Sequence, residues 1–326
     1  MKKKTTLFEI KKMNILYYYP DVLGYGDFYL LLPILESLRK KHKKSHITLA
    51  SNKTIKSLIV NENIIDDWIE FNSNIGNKRI IDNLFHQFDK VYNLDIQRLG
   101  ITLFFRNDMH FFDIMEKEFE VKIDRNKFDS TFKFNLTSEE KDRVNKLILH
   151  NDKKNIIIHT GHSYKFPYGK TPNYEWWYEL VSNLSDYNVY QVGSKIAPPQ
   201  PTRIMPDFDI KHNNIDLCDS INFRQIAYLL EISHTFIAID SIVAHLSLHS
   251  MKRGIVLWGS SYVRTHGHEH NVNLEAIRHC GKTSCIDLGG MIVDDGTNLN
   301  CCLLPENEKP DSWPLVDEVI YELNNV

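Results

Sequence analysis

The chain has 326 residues, which is long enough for two domains that each bury a core. Hydrophobic residues make up 42% and aromatic residues 11% of the sequence, so the composition excludes a mainly disordered protein. The sequence contains no run of about eighteen apolar residues, and its N-terminus lacks a long apolar stretch followed by small residues. We therefore expect a cytoplasmic protein without a transmembrane segment or a secretory signal.

The formal charge of −3 conceals a basic start, because residues 1–50 contain ten Lys or Arg against four Asp or Glu. Part of this excess is the run RKKHKK at residues 39–44. Two interpretations are open. The run is either the solvated end of a helix, or part of a surface that faces an acidic partner, such as an anionic glycan or the inner face of a membrane.

The first half of the chain alternates strand-like and helix-like segments, as α/β domains do. Apolar runs predict strands at residues 13–19, 46–50, 67–71 and 90–94. Helical patterns predict helices at residues 28–41, 55–60 and 101–120, and from Ser138 to about residue 149. A polar break at residues 150–154 then predicts a boundary between an N-terminal domain at 1–150 and a C-terminal domain at 151–326.

The loop before the first helix carries the pair Gly24-x-Gly26. A dinucleotide-binding loop would need a third glycine, and Tyr29 stands at that position. The loop also places Asp27 at a helix start. This carboxylate either caps the helix or is exposed for chemistry.

The second half repeats the alternating pattern. Strands are predicted at residues 155–159 and 188–192, and helices at 173–184, 223–231 and 315–323. The short segments 209–211 and 215–217 lead to the helix at 223–231. The stretch 235–260 reads as strand, helix and strand, and Asp240 and Ser241 lie where the first of these strands ends. His245 falls one helical turn after Ser241. Ser241 is either only a helix cap or part of an anion site, and His245 either a core residue or a ligand contact.

Two consecutive halves of this kind predict an α/β protein in which two Rossmann-like domains face each other across a cleft. Each half contributes a loop at the carboxyl end of its first strand. The segment HGHEH at residues 266–270 follows the last predicted strand. It either lines the cleft, binds metal, or is a solvated loop.

Four segments, taken together, resemble glycosyltransferase family 9, the heptosyltransferases that build the inner core of bacterial lipopolysaccharide. The first is GDFYLLLP at residues 26–33 with Leu38-Arg39 and Ile47-Thr48 after it. The second is IIIH at 156–159 with Lys170 and Trp176-Trp177, and the third is DLCDSI at 216–221. The fourth, DSIVAHL at 240–246 followed by LWG at 257–259, resembles the family motif DSGxxHL.

The resemblance implies the GT-B fold and inverting transfer from a nucleotide-diphosphate sugar such as ADP-heptose, without a catalytic cofactor. It makes Asp27 the general base that takes the proton from the acceptor hydroxyl. Residues in donor-binding positions of the family are Lys170, Ile221, Asp240, Ser241, Ile242, Val243 and His245. Further candidates for the site are Gly26, Ser163, Lys165 and His266.

The chain departs from the family at three places. Ile242 replaces a glycine and narrows the approach of a diphosphate to the backbone. Lys165 competes with Lys170 for the phosphate role. After Gly193 the glutamate that the family uses on the ribose is missing, so a uridine or guanosine donor is an alternative to ADP-heptose. A catalytically silent protein that binds a sugar nucleotide or a glycan is the alternative function, and a sugar-nucleotide epimerase is a third.

Five cysteines are an odd number, and four of them lie close together in the sequence at Cys280, Cys285, Cys301 and Cys302. Without an export signal, thiols or a metal site are expected instead of disulfides. Some relatives in the family carry a cysteine cluster near this point, a few with a bound metal. The cluster therefore either holds a structural zinc or iron or consists of buried free thiols, although its spacing is irregular for zinc.

Overall fold

The computed structural model describes residues 12–20, 24–60, 62–71, 78–95, 109–127, 132–161, 170–195, 210, 214–259, 261–277, 279, 309 and 311–326. The longest helix in these ranges has 17 residues. None of the described helices combines the length and the apolarity that crossing a membrane requires.

The first half folds around a parallel sheet whose described strands run in the order β3-β2-β1-β4. Its strands are β1 (Asn14–Tyr18), β2 (His46–Ser51), β3 (Asp67–Glu70) and β4 (Lys90–Asn93). The helices are α1 (Tyr25–Lys41), α2 (Lys53–Ile59), α3 (Lys78–Phe85), α4 (Phe111–Phe119) and α5 (Ser138–Asn145), with a 3-10 turn at Arg125–Lys127. β1 is apolar and almost wholly buried, as expected for a parallel strand covered on both faces.

The second half contains a parallel sheet in the order β10-β9-β8-β5-β6-β7. Its strands are β5 (Lys154–His159), β6 (Tyr187–Gln191), β7 (Asn214–Asp216), β8 (Thr235–Ile239), β9 (Ile255–Trp258) and β10 (Val272–Glu275). The helices are α6 (Tyr174–Ser182), α7 (Phe223–Ile232), α8 (Ile242–Leu246), α9 (Val263–His266) and α10 (Val316–Leu323), with a 3-10 turn at Ser247–His249. This is the Rossmann strand order. Strands β5 to β7 extend the sheet toward one edge and strands β8 to β10 toward the other, so the strand order reverses between β5 and β8.

The predicted α/β architecture of two Rossmann-like halves is therefore confirmed. Several predicted helices differ from the structure at an end. α1 begins at Tyr25, three residues before its predicted start at Phe28. The aromatic helix begins at Phe111, and residues 101–108 of the predicted 101–120 segment lie outside the described residues. The helix that starts at Ser138 ends at Asn145, and the terminal helix starts at Val316 because Leu315 is its extended N-cap residue. The domain boundary near residue 150 stays a prediction.

Helix starts follow caps that are visible in the sequence. Asn52 begins α2 by accepting hydrogen bonds from two backbone N–H groups through its side chain. Thr137 with Glu140 forms a capping box at α5, and Asn222 with Gln225 forms another at α7. The α7 cap fixes where the first turn of that helix lies against the other half of the chain.

Arg224, in this first turn of α7, ties the two halves together. Its side chain is buried and donates from Nε to Glu140 at 2.7 Å and from Nη1 to Glu62 at 3.0 Å. The same guanidinium donates to the carbonyls of Val60 at 3.0 Å and Asn135 at 2.7 Å. The buried charge is thus paired with two carboxylates and bonded to backbone acceptors, which is what an ion in a low-dielectric interior needs.

We expect Arg224→Met to lower the free energy of unfolding by about 3–5 kcal/mol, because Glu62 and Glu140 would remain as uncompensated carboxylates. Lys40→Met is the control. The side chains of its ion pair with Glu36 are 70% and 36% exposed, and such pairs contribute at most about 1 kcal/mol. Urea unfolding of both variants measures the difference. Equal losses in the two variants would contradict the bridging role of Arg224.

Candidate active site

The carboxyl ends of β5 and β8 meet at the point where the strand order reverses, which is where ligands bind in open α/β sheets. His159 is the last residue of β5, and Asp240 and Ser241 follow β8. Ser241 occupies the N-cap position of α8, but its hydroxyl makes no capping bond. It lies 3.0 Å from Nδ1 of His159 instead. The side chain of Ser241 is therefore part of the sheet-edge site and not a helix cap.

Lys170 and Asp240 form an ion pair at this edge. Nζ of Lys170 donates to Oδ2 of Asp240 at 2.7 Å, and the two side chains are 17% and 8% exposed. Ser261, after β9, donates its hydroxyl to the same carboxylate oxygen. Burial alone would raise the pKa of Asp240, but Lys170 and the nearby His266 hold that pKa well below its usual range. Asp240 is consequently a carboxylate at any working pH.

Asp27 reaches the same place from the other half of the chain. It lies in the first turn of α1, where Oδ2 accepts a hydrogen bond from the N–H of Gly24 at 3.1 Å. Burial raises the pKa of Asp27 to about 6, opposed by the charge of Lys170 and the Gly24 bond and assisted by the charge of Asp240. A carboxyl group that titrates near pH 6 is well suited to exchange protons near neutral pH.

Gly26 is one point of direct contact between the two halves. A Cβ at this position would lie 2.9 Å from Cδ2 of His245 and 3.4 Å from the backbone N of Ile242. Only glycine allows α1 to approach α8 this closely. The side chains of Ile242 and Val243 pack on the apolar core that both halves share.

A cluster of histidines surrounds this contact. Burial lowers the pKa of His245 to about 3, and that of His266 and His270 to about 4. The pKa of His268 is also well below its usual value, first because of burial and second because of His245. These imidazoles are therefore neutral near pH 7, and each nitrogen is either a donor or an acceptor according to its tautomer.

The structure brings most of the predicted site residues together. Those that lie at or beside the carboxyl edge of the second sheet are Gly26, Asp27, Lys170, Asp240, Ser241, Ile242, Val243, His245 and His266. Ile221 is half-buried against the shared core just before α7. Ser163, Lys165, Cys280, Cys285, Cys301 and Cys302 lie outside the described residues. Within the described ranges, no group of three or more His, Cys, Asp or Glu side chains could hold a metal ion.

Sequence reasoning missed two members of the site. His159 is the partner of Ser241, and Ser261 is a second partner of Asp240. His159 carried a usable signal, because it ends a predicted strand in the half that holds the DSIVAHL segment. Ser261 carried no such sequence signal, because its contact with Asp240 depends on the pairing of β8 with β9.

The free energy of unfolding should fall as the pH drops from about 6.5 toward 4. Unfolded histidines take up protons near pH 6.5, whereas the folded-state pKa of His245 is about 3 and that of His270 about 4. The unfolded state then binds more protons, and each such histidine contributes a slope of at most about 1.4 kcal/mol per pH unit. Asp27 acts in the opposite direction below about pH 6, because its pKa is raised in the folded state.

Urea unfolding between pH 7.5 and 4.5 measures this slope. His270→Asn should reduce it, whereas His86→Asn, which alters an exposed histidine of the first half, should leave it unchanged. An identical slope in the wild type and His270→Asn would show that His270 is not a buried neutral group.

Comparison with known proteins clarifies the fold. No protein-family model matches the chain, and neither does any curated protein sequence. Among solved structures, a family 9 glycosyl transferase from Veillonella parvula aligns with a TM-score of 0.65 and 16% identity over 96% of each chain. ADP-heptose lps heptosyltransferase II from E. coli aligns with a TM-score of 0.56 and 15% identity, covering 87% of this chain and 100% of that one.

A third similar structure is the dodecameric iron-containing heptosyltransferase TibC in complex with ADP-D-beta-D-heptose. TibC comes from enterotoxigenic E. coli H10407. It aligns with a TM-score of 0.61 and 15% identity, covering 96% of this chain and 77% of that one. At these identities the likeness concerns the fold. The resemblance to glycosyltransferase family 9 is confirmed at that level, and the chain has a GT-B-like α/β fold.

Proposed function

We propose that this protein is an inverting glycosyltransferase that moves a sugar from a nucleotide-diphosphate sugar to a hydroxyl of an acceptor. The observation that carries the proposal is the meeting of Asp27, from the first half, with the Lys170–Asp240 pair and His245, from the second half. This meeting lies at the sheet edge where α/β folds bind ligands. The fold shared with known glycosyltransferases supports it.

Asp27 is the general base of this proposal. Its carboxylate takes the proton from the acceptor hydroxyl, whose oxygen then attacks the anomeric carbon on the face opposite the leaving group. The bond from that carbon to the nucleotide diphosphate breaks, and the diphosphate leaves with the electron pair. A single base is sufficient for this inversion, so no covalent intermediate forms.

The negative charge of the departing diphosphate is stabilised by Lys170 and by hydrogen-bond donors at the start of α8. Two carboxylates, Asp27 and Asp240, offset the single ammonium of Lys170. α8 has only five residues, so its dipole is small. Neutral hydrogen-bond donors therefore supply much of the stabilisation of the diphosphate charge. The candidates are His245 and the backbone N–H groups of residues 242 and 243.

ADP-heptose is the donor that the similar structures favour, because two of them are described as ADP-heptose or heptosyl enzymes. An anionic glycan of the lipopolysaccharide core is the matching acceptor. In the basic last turn of α1, Arg39 pairs with Asp66 and Lys40 with Glu36. Lys41 donates to the carbonyl of Glu120 and keeps its positive charge for such an acceptor or for peripheral contact with the inner face of a membrane. The reaction is then cytoplasmic.

A catalytically silent sugar-nucleotide or glycan-binding protein is the second candidate. The observation that favours it is the direct packing of Gly26 on the backbone of Ile242, which narrows the approach to the first N–H groups of α8. This candidate predicts that a donor raises the thermal stability of the protein and is neither transferred nor hydrolysed. Mass spectrometry of donor and acceptor mixtures separates the two functions.

Asp27→Asn should lower the rate of sugar transfer by about 100-fold to 10,000-fold, because the amide cannot accept the proton. The variant should fold normally, since the amide oxygen can still accept the Gly24 hydrogen bond. Asp82→Asn, an exposed carboxylate of α3, is the matched control and should keep full activity. Transfer by Asp27→Asn at the wild-type rate would rule out the assigned base.

The pH dependence of kcat/KM should show an acidic limb with a midpoint of about 6. The pKa of Asp27 is about 6, and below it the protonated carboxyl cannot act as a base, so the rate falls about tenfold per pH unit. The limb should disappear from the residual activity of Asp27→Asn. A midpoint near 4, the ordinary value for a carboxyl group, would contradict a buried catalytic Asp27.

A further inference from the structure

We propose that His268 is a positioning residue, which holds His245 in the tautomer whose Nε2–H points into the site as a donor to an anionic group. The inference rests on the proposed function for the identity of that anion, the diphosphate. The geometry of the His245–His268 pair carries the inference.

The two imidazoles share one hydrogen bond, between Nδ1 of His245 and Nε2 of His268 at 3.0 Å. Their ring planes are close to perpendicular, with centroids 5.1 Å apart. Both side chains are buried and neutral. Either Nδ1 of His245 or Nε2 of His268 must therefore carry the proton of this bond, so the tautomers of the two rings are linked.

The other edge of the His245 ring faces the first half of the protein. Its Cδ2, which is bonded to Nε2, is the atom nearest to a Cβ built on Gly26. Nε2 forms no hydrogen bond with any residue that the structure describes. Asp240 lies close enough to His245 for its charge to act on this ring. A proton on Nε2 is thus favoured by this negative charge, and it lies on the ring edge that faces the first half.

The two linked arrangements differ in which nitrogen carries the second N–H of the pair. If His268 donates, the second N–H of the pair is Nε2–H of His245, on the ring edge that faces the first half. If His245 donates, its Nε2 carries a lone pair, and the second N–H is on Nδ1 of His268. The negative charge of Asp240 acts on the His245 ring, and an anion at the Nε2 edge would be repelled by a lone pair, so the first arrangement is the stable one.

The backbone around His268 holds the ring in this orientation. Its carbonyl accepts hydrogen bonds from the N–H of Asn271 at 3.0 Å and from Nδ2 of Asn273 at 3.1 Å. Its ring stacks on that of His270 with centroids 5.7 Å apart and an angle of 11°. His270 in turn bonds through Nε2 to the hydroxyl of Ser247 at 3.1 Å. His268 and His270, two positions apart in the sequence, therefore fix the ring that bonds to His245. Outer hydrogen-bond partners orient functional histidines in the same way in other proteins.

Nitrogen-15 NMR on the full chain tests the tautomer directly and needs no substrate. In the wild type, His245 should carry its proton on Nε2. His268→Gln should preserve this state, because the glutamine amide can donate in place of Nε2–H. His268→Leu should give a mixture of the two tautomers. A wild-type His245 protonated on Nδ1, or an unchanged His245 tautomer in His268→Leu, would overturn the inference.

Binding of inorganic pyrophosphate tests whether Nε2–H of His245 donates to an anionic group. This probe does not depend on the choice of nucleotide. Calorimetry should show about tenfold weaker binding to His268→Leu, with wild-type affinity in His268→Gln and in the exposed-site control His86→Leu. Equal affinity in His268→Leu and the wild type would overturn the donor role.

The NMR result also separates this inference from the proposed function. A wild-type Nε2–H tautomer that His268→Leu disrupts supports His268 as the positioning residue, even in a protein that transfers no sugar. If wild-type His245 carries its proton on Nδ1 and the protein still transfers sugar, the positioning role of His268 is refuted and the proposed function is not.

Discussion

The contact between the first turn of α1 and the start of α8 is the constraint on which the site depends. At Gly26 an added Cβ would lie 2.9 Å from Cδ2 of His245, so a side chain there would push against the His245 ring. Because of this contact, a carboxylate from one half lies among the ionic and imidazole groups of the other. The apolar core runs without interruption from α1 to α8, so the contact is maintained by burial as well as by shape.

Close packing has an electrostatic effect as well. Burial raises the pKa of Asp27 and lowers those of the neighbouring histidines, while the pair with Lys170 keeps Asp240 ionised. Two carboxylates in similar surroundings therefore differ in proton affinity. One accepts a proton near neutrality and the other is permanently charged, which is the division that acid–base chemistry requires.

The strands that the sequence predicts best are those with continuous apolar runs, such as β1, β5, β8 and β9, because parallel strands are buried on both faces. β10 (Val272–Glu275) and α9 (Val263–His266) were not predicted, since both are short and mixed in composition. Asp27, Asp240 and His245 were found from their places at strand and helix ends and from a family resemblance. The pairings of Lys170 with Asp240 and of Ser241 with His159 were not predicted, because the two residues of each pair are 70 and 82 positions apart in the sequence.

The buried Arg224 limits how the halves can be combined with other proteins. Its acceptors, Val60, Glu62, Asn135 and Glu140, all precede the second sheet, and the arginine itself follows β7. A chimera that joins this second half to a foreign first half would bury a guanidinium without its carboxylates. The two halves resemble each other in topology, yet they are not interchangeable modules, and any graft must carry both sides of this ion pair.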